Sequence, residues 1–158
     1  MALLIAVSGL APATATEVIQ FVGLLQRLSP ESAGVLAEAG VLAHRGNGGG
    51  AARALAEQVA VLPEEDRSAL LAEAARMAER GGEATQAAGL RQRLLDEFPA
   101  APEVGEASLA LAQYAAQTSG GREGAIRLLE SLISERPNAA VVPAARRELE
   151  RLRGGAPK

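Results

Sequence analysis

An all-α protein made of repeated antiparallel helix pairs is what this sequence predicts, and three observations predict it. Proline punctuates the chain at near-regular intervals: Pro30, Pro63, Pro99 and Pro137 follow one another at separations of 33, 36 and 38 residues. Alanine fills many of the apolar positions between them, and it both favours helix and lets helix backbones approach closely. Strand-type runs of Val, Ile, Thr and aromatics are nearly absent. A recurrence of this length, with two helices per unit, marks a helical repeat array, here of about eight to nine helices.

Composition bounds the rest. The chain has 158 residues, 48% of them hydrophobic and 22% charged, which suits a domain with a core and argues against disorder. Its aromatics are Phe21, Phe98 and Tyr114, so Leu, Val and Ala must fill the interior. Cysteine is absent, which excludes disulfides and thiolate zinc sites. The 19 acidic and 16 basic side chains are well mixed, unlike the clustered basic surface that nucleic acid requires.

Taken in order, residues 1–11 are apolar and lead into Pro12-Ala13-Thr14-Ala15. Residues 1–15 read either as a truncated first helix or as the remnant of a secretory signal with a small-x-small site at Ala13-Thr14-Ala15. The signal lacks a positive leading segment, since no Lys or Arg precedes Arg27, so the truncated helix is preferred. A third reading makes the chain the tail of a longer protein. Eleven apolar residues are too few to span a bilayer.

Thr16 is placed to cap a helix running to about Leu28, with Val18, Phe21, Val22, Leu25 and Leu28 on one face. Ser29-Pro30 stops it. A helix over Glu31 to Arg45 follows, with Val35, Leu36, Ala39, Leu42 and Ala43 inward. Residues 46–50, Gly-Asn-Gly-Gly-Gly, read as a break. The next helix spans Ala51 to Leu62, with Leu55, Val59 and Leu62 inward.

Pro63-Glu64-Glu65-Asp66 reads as a helix start, with acids at the positive end of the dipole. Two helices joined by Gly81-Gly82 then run to Phe98 and close at Pro99. Ala74, Ala75 and Ala78 share one face of the first; Ala87, Leu90, Leu94 and Leu95 share one face of the second. Ala75 and Ala87 are expected to be buried at a helix crossing, and Arg91 to lie on the outer face. Helices over Glu103 to Gln117, Glu123 to Glu135 and Val141 to Arg153 complete the chain. The expected organisation is a repeat domain over 16–153, with units at roughly 31–63, 64–99 and 103–137. A polar capping helix over 140–153 and a disordered tail over 154–158 follow.

Two copies share their internal spacing. Leu71, Ala74, Ala75, Ala78, Ala87 and Pro99 match Leu109, Ala112, Gln113, Ala116, Ala125 and Pro137; Ala39, Leu42, Ala51, Leu55 and Pro63 give an earlier copy. On these residues the chain resembles the tetratricopeptide repeat family. The family's small crossing residue appears as Ala39 and Ala75, its second-helix Ala as Ala51, Ala87 and Ala125, and its closing Pro as Pro63, Pro99 and Pro137. Its early Trp is replaced by Leu71 and Leu109, its first-helix Tyr by Ala78 and Ala116, and its second-helix Phe by Arg91 in the central copy. The resemblance implies a right-handed α-solenoid whose first helices line a concave groove for a protein or peptide partner. Residues 125–139 are also similar to the last repeats of bacterial envelope proteins, which favours export; cytoplasmic and periplasmic or envelope locations both stay open.

No constellation here supplies chemistry. His44 is the lone histidine and has no second ligand beside it, so no metal is expected. The glycine run lacks the Lys-Ser or Lys-Thr of a phosphate loop, Ser and Thr lack partners for a triad, and no cofactor motif occurs. The expectation is a non-enzymatic scaffold. By the resemblance, Glu73, Arg76 and Arg80, with Tyr114 and Gln117 of the next unit, face the groove; Arg45, Glu38 and Val41 are weaker candidates. Tyr114 is the expected anchor, an isolated ring with a polar tip. The alternative is a purely structural C-terminal repeat segment of a longer bacterial protein whose working site lies upstream.

Overall fold

The computed structural model describes residues 15–154; the readings of residues 1–14 and of the tail beyond 154 lie outside them. Among the described residues there are eight α-helices and no strand, and helix accounts for 80% of those residues. They are α1 (Ala15–Leu25), α2 (Pro30–His44), α3 (Gly48–Gln58, continued by a 3-10 turn at Val59–Val61), α4 (Glu64–Arg80), α5 (Ala84–Glu97), α6 (Val104–Gln117), α7 (Arg122–Glu135) and α8 (Val142–Gly154). No helix among them is long and apolar enough to cross a membrane. The chain forms two compact units, Met1–Ala87 and Ala88–Lys158, and the division falls inside α5.

The first unit is a run of consecutive helices, each packed on the next. α1 lies on α2, α2 on α3 and α3 on α4, and α2 also touches α4 directly. Leu36, Ala51, Leu55, Val59, Leu62, Leu70, Leu71, Ala74, Ala75, Met77 and Ala78 are buried here, and so is Ala87. This is the small-residue interior that the alanine spacing implies, built from Leu and Ala, with the Phe21 ring of α1 lying over Gly40 of α2.

The turns recur. Gly46, Gly82 and Gly120 have φ of 86°, 80° and 76°, a left-handed conformation that only glycine adopts cheaply. Their spacing, 36 and then 38 residues, is that of Pro63, Pro99 and Pro137, so each left-handed glycine stands 17 residues before a closing proline. At the first two, the Asn47 N–H donates to the Leu42 carbonyl and the Glu83 N–H to the Ala78 carbonyl, while Gly46 and Gly82 donate to Ala43 and Glu79. This pair of bonds satisfies the last carbonyls of α2 and α4 in the same way.

Three boundaries differ from expectation. α1 already includes Ala15 and ends at Leu25, so Thr16 lies within its first turn and is not the cap. Ser29 does not stop α1, which ends at Leu25. It caps α2, its Oγ accepting from the Ser32 N–H at 3.2 Å with Pro30 at the first helical position. The glycine run is not a break: α3 begins at Gly48, and the turn shrinks to residues 45–47. Asn47 caps α3 by accepting from the Gly50 N–H at 2.9 Å. Space explains the glycines at both ends of the triplet. A Cβ on Gly48 would lie 2.6 Å from the Met77 carbonyl oxygen and 2.8 Å from the Gly81 Cα; one on Gly50 would lie 2.5 Å from the Asn47 amide group.

Asp66 also departs from its expected role. Glu64 and Glu65 are exposed in the first turn of α4, whereas Asp66 is buried and its carboxylate accepts from the Ser29 N–H at 3.1 Å. Burial alone would raise this carboxyl. The nearby Ser29 and Ser32 hydroxyls and the Ser29 N–H outweigh burial and hold it below the ordinary carboxylate range. The fully buried Ser32 hydroxyl makes no formed hydrogen bond, so it acts on Asp66 through proximity.

In the second unit α6 packs on α7 and α7 on α8, with α6 also reaching α8. Ala112, Ala125, Leu129, Leu132, Ala145, Leu149 and Leu152 form its core, flanked by Leu109, Ile126, Leu128 and Ile133. The Arg136 guanidinium ties the 99–101 turn to the end of α7, donating to the Ala101 carbonyl at 3.1 Å and to that of Pro99. Arg122, opening α7, donates to the Leu152 carbonyl near the end of α8, so these helices run antiparallel. The outer side of α8 is polar as expected, with Arg146, Arg147, Glu150, Arg151 and Arg153 exposed. Arg91 corrects a different expectation: it is 7% exposed, not on an outer face. An arginine can occupy such a buried position because its stem is aliphatic and only its head is charged.

Candidate partner-binding site

The residues expected to contact a partner fall in three places. Glu73, Arg76 and Arg80 occupy α4 at spacings of three and seven, which stacks them along one side of the helix. The structure joins them. Arg76 Nη1 reaches one Glu73 carboxylate oxygen at 3.0 Å and Arg80 Nη2 reaches the other at 2.8 Å. The Glu73 side chain is only 6% exposed, while those of Arg76 and Arg80 are 30% and 41% exposed. A buried carboxylate is costly unless paired, and two guanidinium groups pair this one. The group as a whole carries one net positive charge and presents it from two partly exposed guanidinium groups held by a common anchor.

Arg45 follows α2 as its C-cap residue and is exposed, as are Glu38 and Val41, two turns and one turn before it. In the second unit Tyr114 is half-buried and Gln117 exposed, both on α6. His44 is exposed at the end of α2, and no cluster of possible metal ligands occurs among the described residues.

A further feature was not legible in the sequence. The Gly48–Gly50 turn of α3, the exposed Arg53, Gly81, Glu83 and Gln86 enclose an open polar cleft of about 320 Å³. Gln86 Nε2 donates to the Gly49 carbonyl at 3.1 Å across it, linking α5 to the head of α3. The glycine run marked the position, but a linker and a close-packed helix start look alike in sequence.

No family model, curated protein or solved structure matches this sequence.

Proposed function

We propose that this protein is a non-enzymatic interaction scaffold, a tetratricopeptide-like right-handed α-solenoid that holds an anionic segment of a protein or peptide partner. The observation that carries the reading is the Glu73, Arg76 and Arg80 group. Two guanidinium groups are fixed by one buried carboxylate, so their entropy cost on meeting a ligand is already reduced. Arg pairs with carboxylates through paired hydrogen bonds, which suits an acidic side chain or a free C-terminus. Arg45 supplies further positive charge in the same unit, and Tyr114 with Gln117 supplies a separate aromatic and amide contact on α6.

A peptide library displayed once with free C-terminal carboxylates and once amidated tests the reading. Ligands should favour acidic or free-carboxylate peptides. Arg76→Gln and Arg80→Gln should each weaken them about tenfold, the equivalent of one charge-assisted hydrogen bond, measured where the variants remain folded, since each also takes one partner from the buried Glu73 carboxylate and should lower the unfolding midpoint. Tyr114→Ala should weaken binding with near-normal stability; a stability loss of about 3 kcal/mol or more would assign the ring to the core. Binding that ignores both arginines would sink the proposal.

The second reading, a structural segment of a longer protein, draws on the same group. Both arginines already have a partner inside α4, as a purely stabilising network would. Sequencing upstream of Met1 in the source gene separates the two: further repeats or a catalytic domain favour the structural role.

A further inference from the structure

The head of α3 places two structural demands side by side. Position 47 needs a short residue with an acceptor, because it caps α3 through the Gly50 N–H. Position 48 must lack a Cβ altogether, because one there would meet Met77 and Gly81 backbone at 2.6 and 2.8 Å. Together they give Asn47-Gly48, and asparagine is among the thermolabile residues. The pair is chemically labile for a definite reason: glycine offers the least steric obstruction to attack by its own nitrogen on the preceding amide.

We propose that Asn47 is a site of spontaneous deamidation whose rate is set by opening of the α2–α3 turn. The Gly48 nitrogen attacks the Asn47 Cγ, forming a new C–N bond. The bond from Cγ to Nδ2 breaks and ammonia leaves, carrying the proton that Gly48 gives up. The resulting five-membered imide adds one water at either carbonyl and opens to aspartate or isoaspartate.

The folded turn opposes the first step. Ring closure needs the Gly48 nitrogen on the same side of the Cα–C bond as the Asn47 Cβ, and a ψ of 63° puts it on the opposite side. The Asn47 amide is also engaged by the Gly50 N–H, and Gly48 is buried although Asn47 is exposed. Reaction therefore passes through local opening of this turn. The two products then part. Aspartate caps a helix as well as asparagine and adds a charge at the positive end of α3. Isoaspartate inserts a methylene into the backbone and leaves its carboxylate directly on Cα, away from the capping position.

The test incubates the full-length protein in mildly alkaline buffer, native and in denaturant, with mass spectrometry of peptides and separation of the two products. The only other asparagine, Asn138, precedes Ala139 and serves as the internal comparison. Asn47 should convert ahead of Asn138 in the unfolded protein. Folding should slow Asn47 at least about tenfold, equivalent to about 1.4 kcal/mol of opening. Asn47→Asp should keep the wild-type unfolding midpoint, and the isoaspartate fraction should show a lowered one. Equal rates in folded and unfolded protein would overturn the proposal. So would conversion of Asn138 as fast as Asn47 in denaturant, or an isoaspartate fraction as stable as the starting protein.

Discussion

The Asp66 carboxylate of α4 accepts a hydrogen bond from the backbone N–H of Ser29, 3.1 Å away at the head of α2. One acid thus serves two helices. It stands in the favourable first turn of its own, and it satisfies a donor at the start of another while the Ser29 hydroxyl satisfies the Ser32 N–H. Asp66→Ala should therefore cost about 1–3 kcal/mol, the range for removing a charged acceptor from a buried donor. Glu65→Ala, on the exposed side of the same turn, should stay within about 0.5 kcal/mol of wild type. Equal costs in denaturant titrations would mean that Asp66 acts only on its own helix.

The same carboxylate gives the stability a pH dependence of definite sign. In the folded protein Asp66 holds its proton less tightly than an ordinary aspartate, so the unfolded protein binds more protons in the acid range. Its contribution is complete above the ordinary carboxylate value and is lost as pH falls through the lowered folded value. Glu148 adds in the same direction, because its hydrogen bond from Arg151 lowers it. Asp66→Asn should flatten the acid side of a stability-against-pH curve while lowering its neutral plateau. A variant with the wild-type acid slope would remove Asp66 as a cause.

Arg91 and Arg93 sit two positions apart on α5 and should behave oppositely. Arg91 is buried, and its truncation should cost about 2–3 kcal/mol through lost packing and lost partners. Arg93 is partly exposed and pairs with Glu97 one turn on, at 2.6 Å, so Arg93→Ala should cost about 0.3–0.5 kcal/mol. Thermal or denaturant midpoints of the two variants decide it; the reverse order would place Arg91 at the surface.

Arg91 also shows where the sequence stops being legible. The left-handed turns at Gly46, Gly82 and Gly120, the buried Ala75 and Ala87 and the helical class all follow from local rules, and local rules are visible in sequence. Arg91 is charged, so hydropathy turns it outward; only the neighbours around it bury it. Glu73 repeats the lesson at the candidate site. Its spacing from Arg76 and Arg80 announces an ion pair, but nothing in the spacing announces that the carboxylate is buried. Asp66 is a third case, because Ser29 lies 37 residues away.

Two glycines inside helices separate packing from propensity. Gly34 in α2 is exposed, and a Cβ there meets nothing within 4 Å. Gly34→Ala should gain about 0.5–1 kcal/mol, because alanine holds helix better than glycine. Gly48 opens α3 with the same nominal gain on offer. There the added methyl would press on the Met77 carbonyl oxygen and on the Gly81 Cα, both backbone atoms that cannot swing aside as a flexible rotamer would. Either α3 moves away from the end of α4 or the Gly81-Gly82 turn distorts, and overpacking of this kind costs about 1–3 kcal/mol. The net effect of Gly48→Ala should be destabilising, opposite in sign to Gly34→Ala. Paired unfolding curves measure both. A Gly48→Ala variant as stable as wild type would show that the head of α3 is not in contact with the end of α4. The glycine triplet would then be a linker after all.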